Sequence, residues 1–369
     1  MRFAADENNT KITGRTIYRD GVRYLGYTGS SVSFRFKGKT AKVELVSDAS
    51  THEKRDYAWV AVFVKEEKDN EILYGAAADE EPYKRFCLDK DEAEYVLYES
   101  DEEKTVTVTL IKYSEAEYAA CGIKWIETDS EEILTPPAAK KLKIEMVGDS
   151  ITCGYGNEGG VEETQHDTSK ENPMGAYSLL TATHLDADVN VVAWNGKGVI
   201  TAYIGEDAPK VKDADWLVPM LYEYTDAGCE RDYLHTPEDK WEKWDNSNFI
   251  PDIITVYLGT NDASYTDNDA ARNEEFVNGY TKFLGTIRSK NPEIPILCML
   301  GTMDKRLCGS VERAVELFNS KNNTDNVYYL ELPFQDEADG LSINWHPTVK
   351  THRKTAEIVE KKIIEILKK

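Results

Sequence analysis

Basic residues are scarce in this chain of 369 residues, which contains 44 lysines and arginines against 67 aspartates and glutamates. The formal net charge is therefore −23. A field of that sign repels both a phosphate backbone and an anionic membrane surface, because each carries dense negative charge. We expect neither nucleic acid nor membrane as a partner, whereas neutral partners such as sugars meet no such penalty.

Long apolar runs are also missing. No stretch of the sequence approaches the ~20 apolar residues that a membrane-spanning helix needs. The first residues, Met1 to Glu7, lack the apolar core of a secretory signal. These absences predict a cytoplasmic protein, or a secreted one if a signal has been removed from the sequence.

Patterns for disulfides and metals are absent from the sequence as well. The six cysteines include no Cys-x-x-Cys pair, and none of the six histidines pairs at His-x-x-x-His spacing beside a carboxylate. Those spacings are typical of zinc and redox sites. We therefore expect free thiols, no metal and no cofactor.

The length suggests two domains, since single cores seldom grow beyond ~250–300 residues. Residues 1–134 are predicted to form an all-β sandwich or jelly roll, because short runs alternate between apolar and polar residues without intervening helices. Turn signals such as Lys37-Gly38-Lys39 separate the runs. The predicted strands are 31–36, 41–46, 57–64, 95–98 and 105–111.

Residues 135–141 are interpreted as a linker, because Pro136 and Pro137 cannot continue a strand or a helix. Residues 142–369 then alternate between strand and helix patterns, which predicts a parallel sheet with helices on both faces, a flavodoxin-like α/β domain. The predicted strands are 142–147, 189–194, 252–258, 294–300 and 326–332, and the predicted helices are 175–186, 270–290, 310–321 and 348–368.

Polar motifs follow three of these strands, and a fourth precedes the last helix. They are Gly148-Asp149-Ser150, Asn195-Gly196, Gly259-Thr260-Asn261-Asp262 and Trp345-His346-Pro347. The carboxyl ends of strands in a doubly wound sheet converge on one crevice. We predict that Ser150, Gly196, Asn261 and His346 meet there.

These residue types suit acyl transfer. A serine hydroxyl is a weak nucleophile until a base removes its proton, and a neutral imidazole can be that base. The oxyanion that forms needs N–H donors, which Gly196, the Ser150 main chain and the Asn261 amide can supply. Each residue alone has a plainer explanation as a cap or turn residue, but four motifs in this order favour a serine hydrolase.

The ordered motifs resemble the SGNH hydrolase superfamily. The N-terminal β domain, Gly14-Arg15-Thr16 and Trp345-His346-Pro347 are similar to carbohydrate esterase family 2, which includes acetyl xylan esterases. The resemblance covers nearly the whole chain. It implies a jelly-roll domain followed by a flavodoxin-like hydrolase domain, and removal of acetyl groups from plant polysaccharides or oligosaccharides such as xylan, mannan or gluco-oligosaccharides.

One position departs from the superfamily pattern, which places an aspartate three residues before the histidine. Here that residue is Ile343, which cannot orient an imidazole. We expect a Ser150–His346 dyad in which a main-chain carbonyl accepts the second ring proton, as some family 2 members are thought to have. Asp339 and the Asn344 side chain remain alternatives.

Trp345 stands beside the predicted base, where it either walls the pocket or stacks on a sugar, and we predict that it binds substrate. Two other functions stay open. One is a short-chain lipid or thioester hydrolase of the same fold, although the segments outside the alternating pattern, 154–173 and 222–250, are polar and aromatic rather than apolar. The other is a non-catalytic sugar-binding protein. The sequence predicts neither the oligomeric state nor the role of residues 222–250.

Overall fold

The computed structural model describes residues 1–67 and 80–368, which form an antiparallel sheet followed by a parallel sheet with helices. The strands of the first sheet are β1 (Arg2–Phe3), β2 (Lys11–Thr13), β3 (Thr16–Arg19), β4 (Val22–Leu25), β5 (Ser31–Val46), β6 (Trp59–Glu66), β7 (Lys84–Cys87), β8 (Glu92–Lys112) and β9 (Gly122–Thr128). The second sheet contains β10 (Leu142–Gly148), β11 (Ala187–Ala193), β12 (Ile253–Tyr257), β13 (Ile296–Leu300) and β14 (Val327–Glu331). The α-helices are α1 (Ser150–Cys153), α2 (Tyr177–His184), α3 (Val218–Leu221), α4 (Thr260–Thr266), α5 (Ala270–Lys290), α6 (Cys308–Asn322) and α7 (Val349–Leu367).

The β domain is a curled sheet built on two long strands, β5 and β8, which pair antiparallel from Ser31↔Ile111 to Val46↔Glu92. The second half of β5 also pairs with β9, and the second half of β8 also pairs with β6. Each long strand therefore contributes to two layers, and these enclose an apolar core. The core includes Phe34, Phe36, Val43, Leu45, Val60, Val62, Val106, Val108, Leu110, Ile123 and Ile126. This arrangement confirms the predicted sandwich or jelly roll.

The turn predicted at Lys37-Gly38-Lys39 is wrong, because Gly38 lies inside β5 and pairs with Lys104. The register shifts between Gly38 and Thr40, where the ladder is irregular. A β-carbon at Gly38 would lie 2.2 Å from Oδ1 of Asp129, whose carboxylate accepts the main-chain N–H of Lys39 at 3.0 Å. The glycine thus marks a bulge that bends a continuous strand. The strands predicted at 95–98 and 105–111 are likewise one strand, β8.

The hydrolase domain contains a parallel sheet with the strand order β11-β10-β12-β13-β14. This is the order of flavodoxin-like sheets. In such sheets ligands bind at the carboxyl ends of the first and third strands, where the order in which strands are added to the sheet reverses. Here that point lies between β10 and β12. Every residue of β12 and β13 is buried, as expected of strands covered on both faces. Helix α2 packs on α7 and α5 packs on α6, so the predicted α/β domain is confirmed.

The two domains are joined by buried polar contacts as well as by apolar packing. The side chain of Arg15 is fully buried, pairs with Oε1 of Glu145 in β10 at 3.0 Å, and donates to the carbonyl oxygens of Tyr222 (2.7 Å) and Tyr224 (3.0 Å). Tyr27 of the β domain belongs to the core of the hydrolase domain. Part of the segment 222–250, whose role the sequence left open, therefore lies at this interface.

The structure can be examined for membrane-spanning helices, disulfides and metal-ligand clusters, whose patterns the sequence lacks. No helix within residues 1–67 and 80–368 is long and apolar enough to span a membrane. The six cysteines are free thiols in this structure. In the same described ranges, no group of three or more histidine, cysteine, aspartate or glutamate side chains is arranged to hold a metal ion.

Candidate active site

Ser150 follows directly after β10, which lies between β11 and β12 in the parallel sheet. β10 ends at Gly148, and Asp149 caps the one-turn helix α1 by accepting the N–H of Ile151 at 3.1 Å. A β-carbon at Gly148 would lie 1.9 Å from Oγ1 of Thr152, so only glycine fits this tight strand-to-helix turn. Ser150 is consequently held at the carboxyl edge of the sheet, where a ligand can reach it.

His346 lies directly against this serine. Its Nε2 is 2.8 Å from Oγ of Ser150, and its Nδ1 is 3.0 Å from the carbonyl oxygen of Ile343. A carbonyl oxygen only accepts hydrogen bonds, so Nδ1 carries the ring proton and Nε2 presents its lone pair to the serine. This is the tautomer that a general base for Ser150 requires.

Ile343 occupies the position at which the superfamily has an aspartate, and it orients His346 through its main-chain carbonyl. The side chain of Ile343 is buried, and it lies against Gly156 and Gly159, where a β-carbon would come within 2.9 and 2.5 Å of it. Asn344 and Trp345 follow with φ angles of +51° and +59°. This left-handed turn points the Ile343 side chain into the protein and leaves its carbonyl oxygen beside the imidazole. Backbone held in this sparsely populated region is a recurring feature of functional sites.

Neither alternative partner of the imidazole contacts it. The carboxylate of Asp339 pairs with Lys350 at 2.8 Å and also with Lys354. The side-chain amide of Asn344 donates to the hydroxyl of Tyr155 at 3.1 Å. Among the described residues, the acceptor for Nδ1 of His346 is therefore the main chain of Ile343, in the arrangement that the sequence predicts.

The surroundings of His346 keep its imidazole neutral. Burial lowers the pKa of His346 to about 4, although hydrogen bonds to the main chain of Ile343 and Asn344 act in the opposite direction. The ring of Tyr155 lies against the imidazole with the ring centroids 4.5 Å apart. The imidazole is thus unprotonated, and available as a base, throughout the neutral range.

Gly196 and Asn261 lie beside the nucleophile. The Asn261 amide nitrogen is 3.3 Å from Oδ2 of Asp149 and 3.1 Å from the carbonyl oxygen of Lys197, so it bridges the residues next to Ser150 and to Gly196. In the part of the chain that the structure describes, the main-chain N–H groups of Ser150 and Gly196 donate to no protein acceptor. These two free donors can receive a developing oxyanion. Both N–H groups of the Asn261 amide face protein acceptors here, so its oxyanion role stays a prediction.

Asp262 was not singled out from the sequence, although it stands next to Asn261 in the same motif. Its buried carboxylate accepts the main-chain N–H groups of Val199 (3.0 Å), Ile200 (2.8 Å) and Thr201 (3.3 Å). Burial raises its pKa to about 6. Asp262 therefore holds the loop after β11 against α4, and so fixes the distance between the two predicted oxyanion donors.

An aromatic stack behind His346 was also missed. The ring of His166 lies between Tyr155 and Tyr118, with centroid distances of 4.1 and 4.9 Å. The sequence carries no clear signal for it, because Tyr155 is the one aromatic residue of the segment 154–173 and Tyr118 belongs to the other domain. Trp345 is 64% exposed on the other side of the base. An exposed indole is free to contact a ligand, and its substrate-binding role stays a prediction.

Comparison with known proteins extends these observations to both domains. Residues 146–354, more than half of the chain, match the GDSL-like Lipase/Acylhydrolase family, and residues 12–137 match the Carbohydrate esterase 2 N-terminal family. The chain is 28% identical over 362 residues to the Cellulase/esterase CelE of Acetivibrio thermocellus, covering 95% of this chain and 39% of that protein. It is 26% identical over 372 residues to an acetylxylan esterase / glucomannan deacetylase of Cellvibrio japonicus, covering 99% and 91% of the two chains.

A solved structure shows the same two-domain arrangement. It is that of a family two carbohydrate esterase from Clostridium thermocellum in complex with cellohexaose, which superimposes with a TM-score of 0.80 at 27% sequence identity and covers 97% of this chain and 99% of that one. The fold, the ordered motifs and both family matches agree. The chain therefore belongs to the GDSL-like lipase/acylhydrolase family, in the two-domain form of the family 2 carbohydrate esterases.

Proposed function

We propose that this protein is a carbohydrate O-acetylesterase that works through an acetyl-serine intermediate. The observation that carries the proposal is the 2.8 Å contact between Oγ of Ser150 and Nε2 of His346, with the imidazole oriented by the Ile343 carbonyl. A serine activated by an adjacent, correctly oriented base is the arrangement that nucleophilic acyl transfer needs.

The reaction follows from these contacts. His346 Nε2 takes the proton of Ser150 as Oγ attacks the acetyl carbonyl carbon. The resulting oxyanion accepts hydrogen bonds from the N–H groups of Ser150 and Gly196 and from the Asn261 amide. The intermediate collapses to acetyl-Ser150, and the departing sugar oxygen takes the proton from Nε2. A water molecule, deprotonated by the same nitrogen, then hydrolyses the acetyl-enzyme and releases acetate.

Several observations support an acetylated polysaccharide or oligosaccharide as the substrate. One relative is named an acetylxylan esterase / glucomannan deacetylase, and the structurally similar esterase was solved with cellohexaose. Trp345 is exposed beside the base, as expected of an indole that stacks on a sugar ring. The net charge of −23 favours a neutral ligand over a nucleic acid or an anionic membrane, and that exclusion, like the cytoplasmic location, stays a prediction.

Acetate release separates this proposal from the lipid or thioester alternative. We expect the protein to release acetate from acetylated xylan, glucomannan and cello-oligosaccharides, and to hydrolyse long-chain acyl esters far more slowly. Ser150→Ala should lose at least about 10⁴ in kcat, because the serine and its base act as a unit. Ser289→Ala makes the same chemical change at an exposed site on α5 and should retain full activity. Preference for long-chain esters, or an active Ser150→Ala variant, would overturn the proposal.

A further inference from the structure

One side chain of the β domain contacts the main chain next to the predicted oxyanion hole. Glu115 lies in the loop after β8 and is fully buried. Its Oε2 accepts the main-chain N–H of Asn195 at 2.9 Å. Asn195 directly precedes Gly196, so a carboxyl group from one domain holds the residue next to a predicted oxyanion donor of the other.

Glu115 is itself held in place by its main chain. Its N–H donates to Oε2 of Glu171 at 2.9 Å, and its carbonyl oxygen accepts from the buried ammonium of Lys112 at 2.7 Å. Lys112 also donates to the carbonyl oxygen of Ser114 at 2.9 Å. The main-chain N–H and carbonyl groups of Glu115 are thus both hydrogen-bonded, and its side chain is buried. The carboxyl group is therefore held in one place, unlike that of a surface glutamate.

The contacts that restrain Gly196 lie mainly on its carboxyl-terminal side, at Lys197 and in the loop held by Asp262. Gly196 has a φ angle of +69°, and no atom lies within 4 Å of the place where a β-carbon would stand, so packing does not fix its position. Its carbonyl oxygen accepts from the N–H of Tyr203 at 2.7 Å, on the side of the peptide away from Asn195. The N–H of Asn195 is the neighbouring main-chain group on the other side. An oxyanion donor is useful only when it is held within a few tenths of an ångström of the productive position.

We propose that Glu115 is a positioning residue for acyl transfer, and that its carboxyl group aims the Gly196 N–H at the oxyanion by holding the main chain of Asn195. This inference rests on the proposed function, because it requires Gly196 to be an oxyanion donor. The oxyanion hole is then completed by the β domain, although the nucleophile, the base and the donors all belong to the hydrolase domain.

The protonation state of Glu115 suits this task. Burial raises the pKa of Glu115 well above its usual range, and the nearby carboxyl group of Glu171 raises it further. Burial also raises the pKa of Glu171 to about 8. A protonated Glu115 keeps one oxygen as an acceptor for the Asn195 N–H without placing a negative charge beside the developing oxyanion. Glutamine reproduces that neutral acceptor in the same shape.

Two variants of matched size separate the acceptor from the volume of the side chain. Glu115→Gln keeps an oxygen acceptor, whereas Glu115→Met fills the buried space without one. Glu117→Ala is the control from the same loop, because the exposed Glu117 carboxylate accepts from the Asn195 side-chain amide at 3.4 Å and, within the described residues, not from its main chain. All three are compared with the wild-type protein on 4-nitrophenyl acetate, with folding checked by circular dichroism and thermal unfolding.

We expect Glu115→Met to lower kcat by about ten- to hundredfold while KM stays within about twofold, since losing a whole oxyanion donor costs ~10²–10³ and this change only displaces one. Glu115→Gln and Glu117→Ala should keep kcat within about threefold of the wild type. If Glu115→Met does not fold, Glu115→Asp replaces it with the same expectation, because it retracts the acceptor by one methylene.

Three results would overturn the inference: an acceptor-free variant that keeps its kcat, a Glu115→Gln variant that loses as much as Glu115→Met, or an equal loss in Glu117→Ala. Each of these is compatible with a wild-type enzyme that acts through Ser150. Failure of the proposed function looks different, because the wild-type protein would then release no acetate or Ser150→Ala would remain active.

Discussion

Replacing Asp339 by asparagine is expected to lower kcat by less than about tenfold, which corresponds to less than ~1.4 kcal/mol of transition-state stabilisation. When the aspartate of a serine-protease triad is changed in this way, kcat falls by about 10⁴. Here the Asp339 carboxylate pairs with the exposed lysines 350 and 354 rather than with His346. Ion pairs of that kind contribute only ~0–1 kcal/mol to stability, so the variant should also fold normally.

The Asn344 side chain is likewise turned away from the imidazole, because its amide donates to the hydroxyl of Tyr155 at 3.1 Å. Glycine is the informative replacement, because the φ angle of +51° at this position suits glycine and the substitution then tests only the side chain. Asn344→Gly should cost less than about tenfold in kcat. His346→Ala, in contrast, removes the base itself and should cost at least about 10⁴.

Ile343→Asp provides a complementary test, since it restores the residue type found at this position in the wider superfamily. The Ile343 side chain is buried against Gly156 and Gly159, on the side of the turn away from the imidazole. An aspartate there would be an unpaired buried carboxyl group and should destabilise the protein by several kcal/mol. We therefore expect a less stable and less active variant, and no restored triad.

The assay is kcat for 4-nitrophenyl acetate near pH 7, with the fold of each variant checked by circular dichroism. A thousandfold loss in Asp339→Asn or in Asn344→Gly, with the fold intact, would refute the dyad and identify the missing third member. A gain in kcat for Ile343→Asp would show that the carbonyl oxygen of residue 343 is not the group that orients the base.

Three further predictions follow from the site. Because burial lowers the pKa of His346 to about 4, and only the neutral imidazole can act as a base, kcat/KM should stay level from about pH 7 to about pH 5 and be half lost near pH 4; a midpoint near pH 6.5 would contradict this. Asn261→Ala should lower kcat by ~10²–10³ with little change in KM, and an effect on KM alone would exclude an oxyanion role. Gly198→Ala would place a β-carbon 2.4 Å from Oδ2 of Asp262 and should lower the free energy of unfolding by about 1–3 kcal/mol in chemical denaturation, whereas Gly285→Ala on α5, with no atom within 4 Å, should not.

The sequence alone determined the architecture of the hydrolase domain and the chemistry of its site. Hydrophobic periodicity is a local signal, so it predicted the parallel strands and their helices to within a few residues. The four motifs could be located as well, since strand ends in a doubly wound sheet must converge and Ser150, Gly196, Asn261 and His346 each follow or precede such an element. The same local reasoning failed at Gly38, because glycine serves a bulge and a turn equally well and only the pairing of β5 with β8 distinguishes them.

Contacts between residues far apart in sequence were decided only by the tertiary structure. That the Ile343 carbonyl faces the imidazole depends on two successive left-handed residues. Asparagine tolerates that conformation but tryptophan rarely adopts it, so packing of Ile343 against Gly156 and Gly159 holds the turn. Glu115 reaches Asn195 from the other domain across 80 positions of sequence. No periodicity or motif encodes such a contact, because the free energy that fixes it comes from burying both domains against each other. The sequence thus supplied the reacting groups, and the packing of the two domains decided what holds them in place.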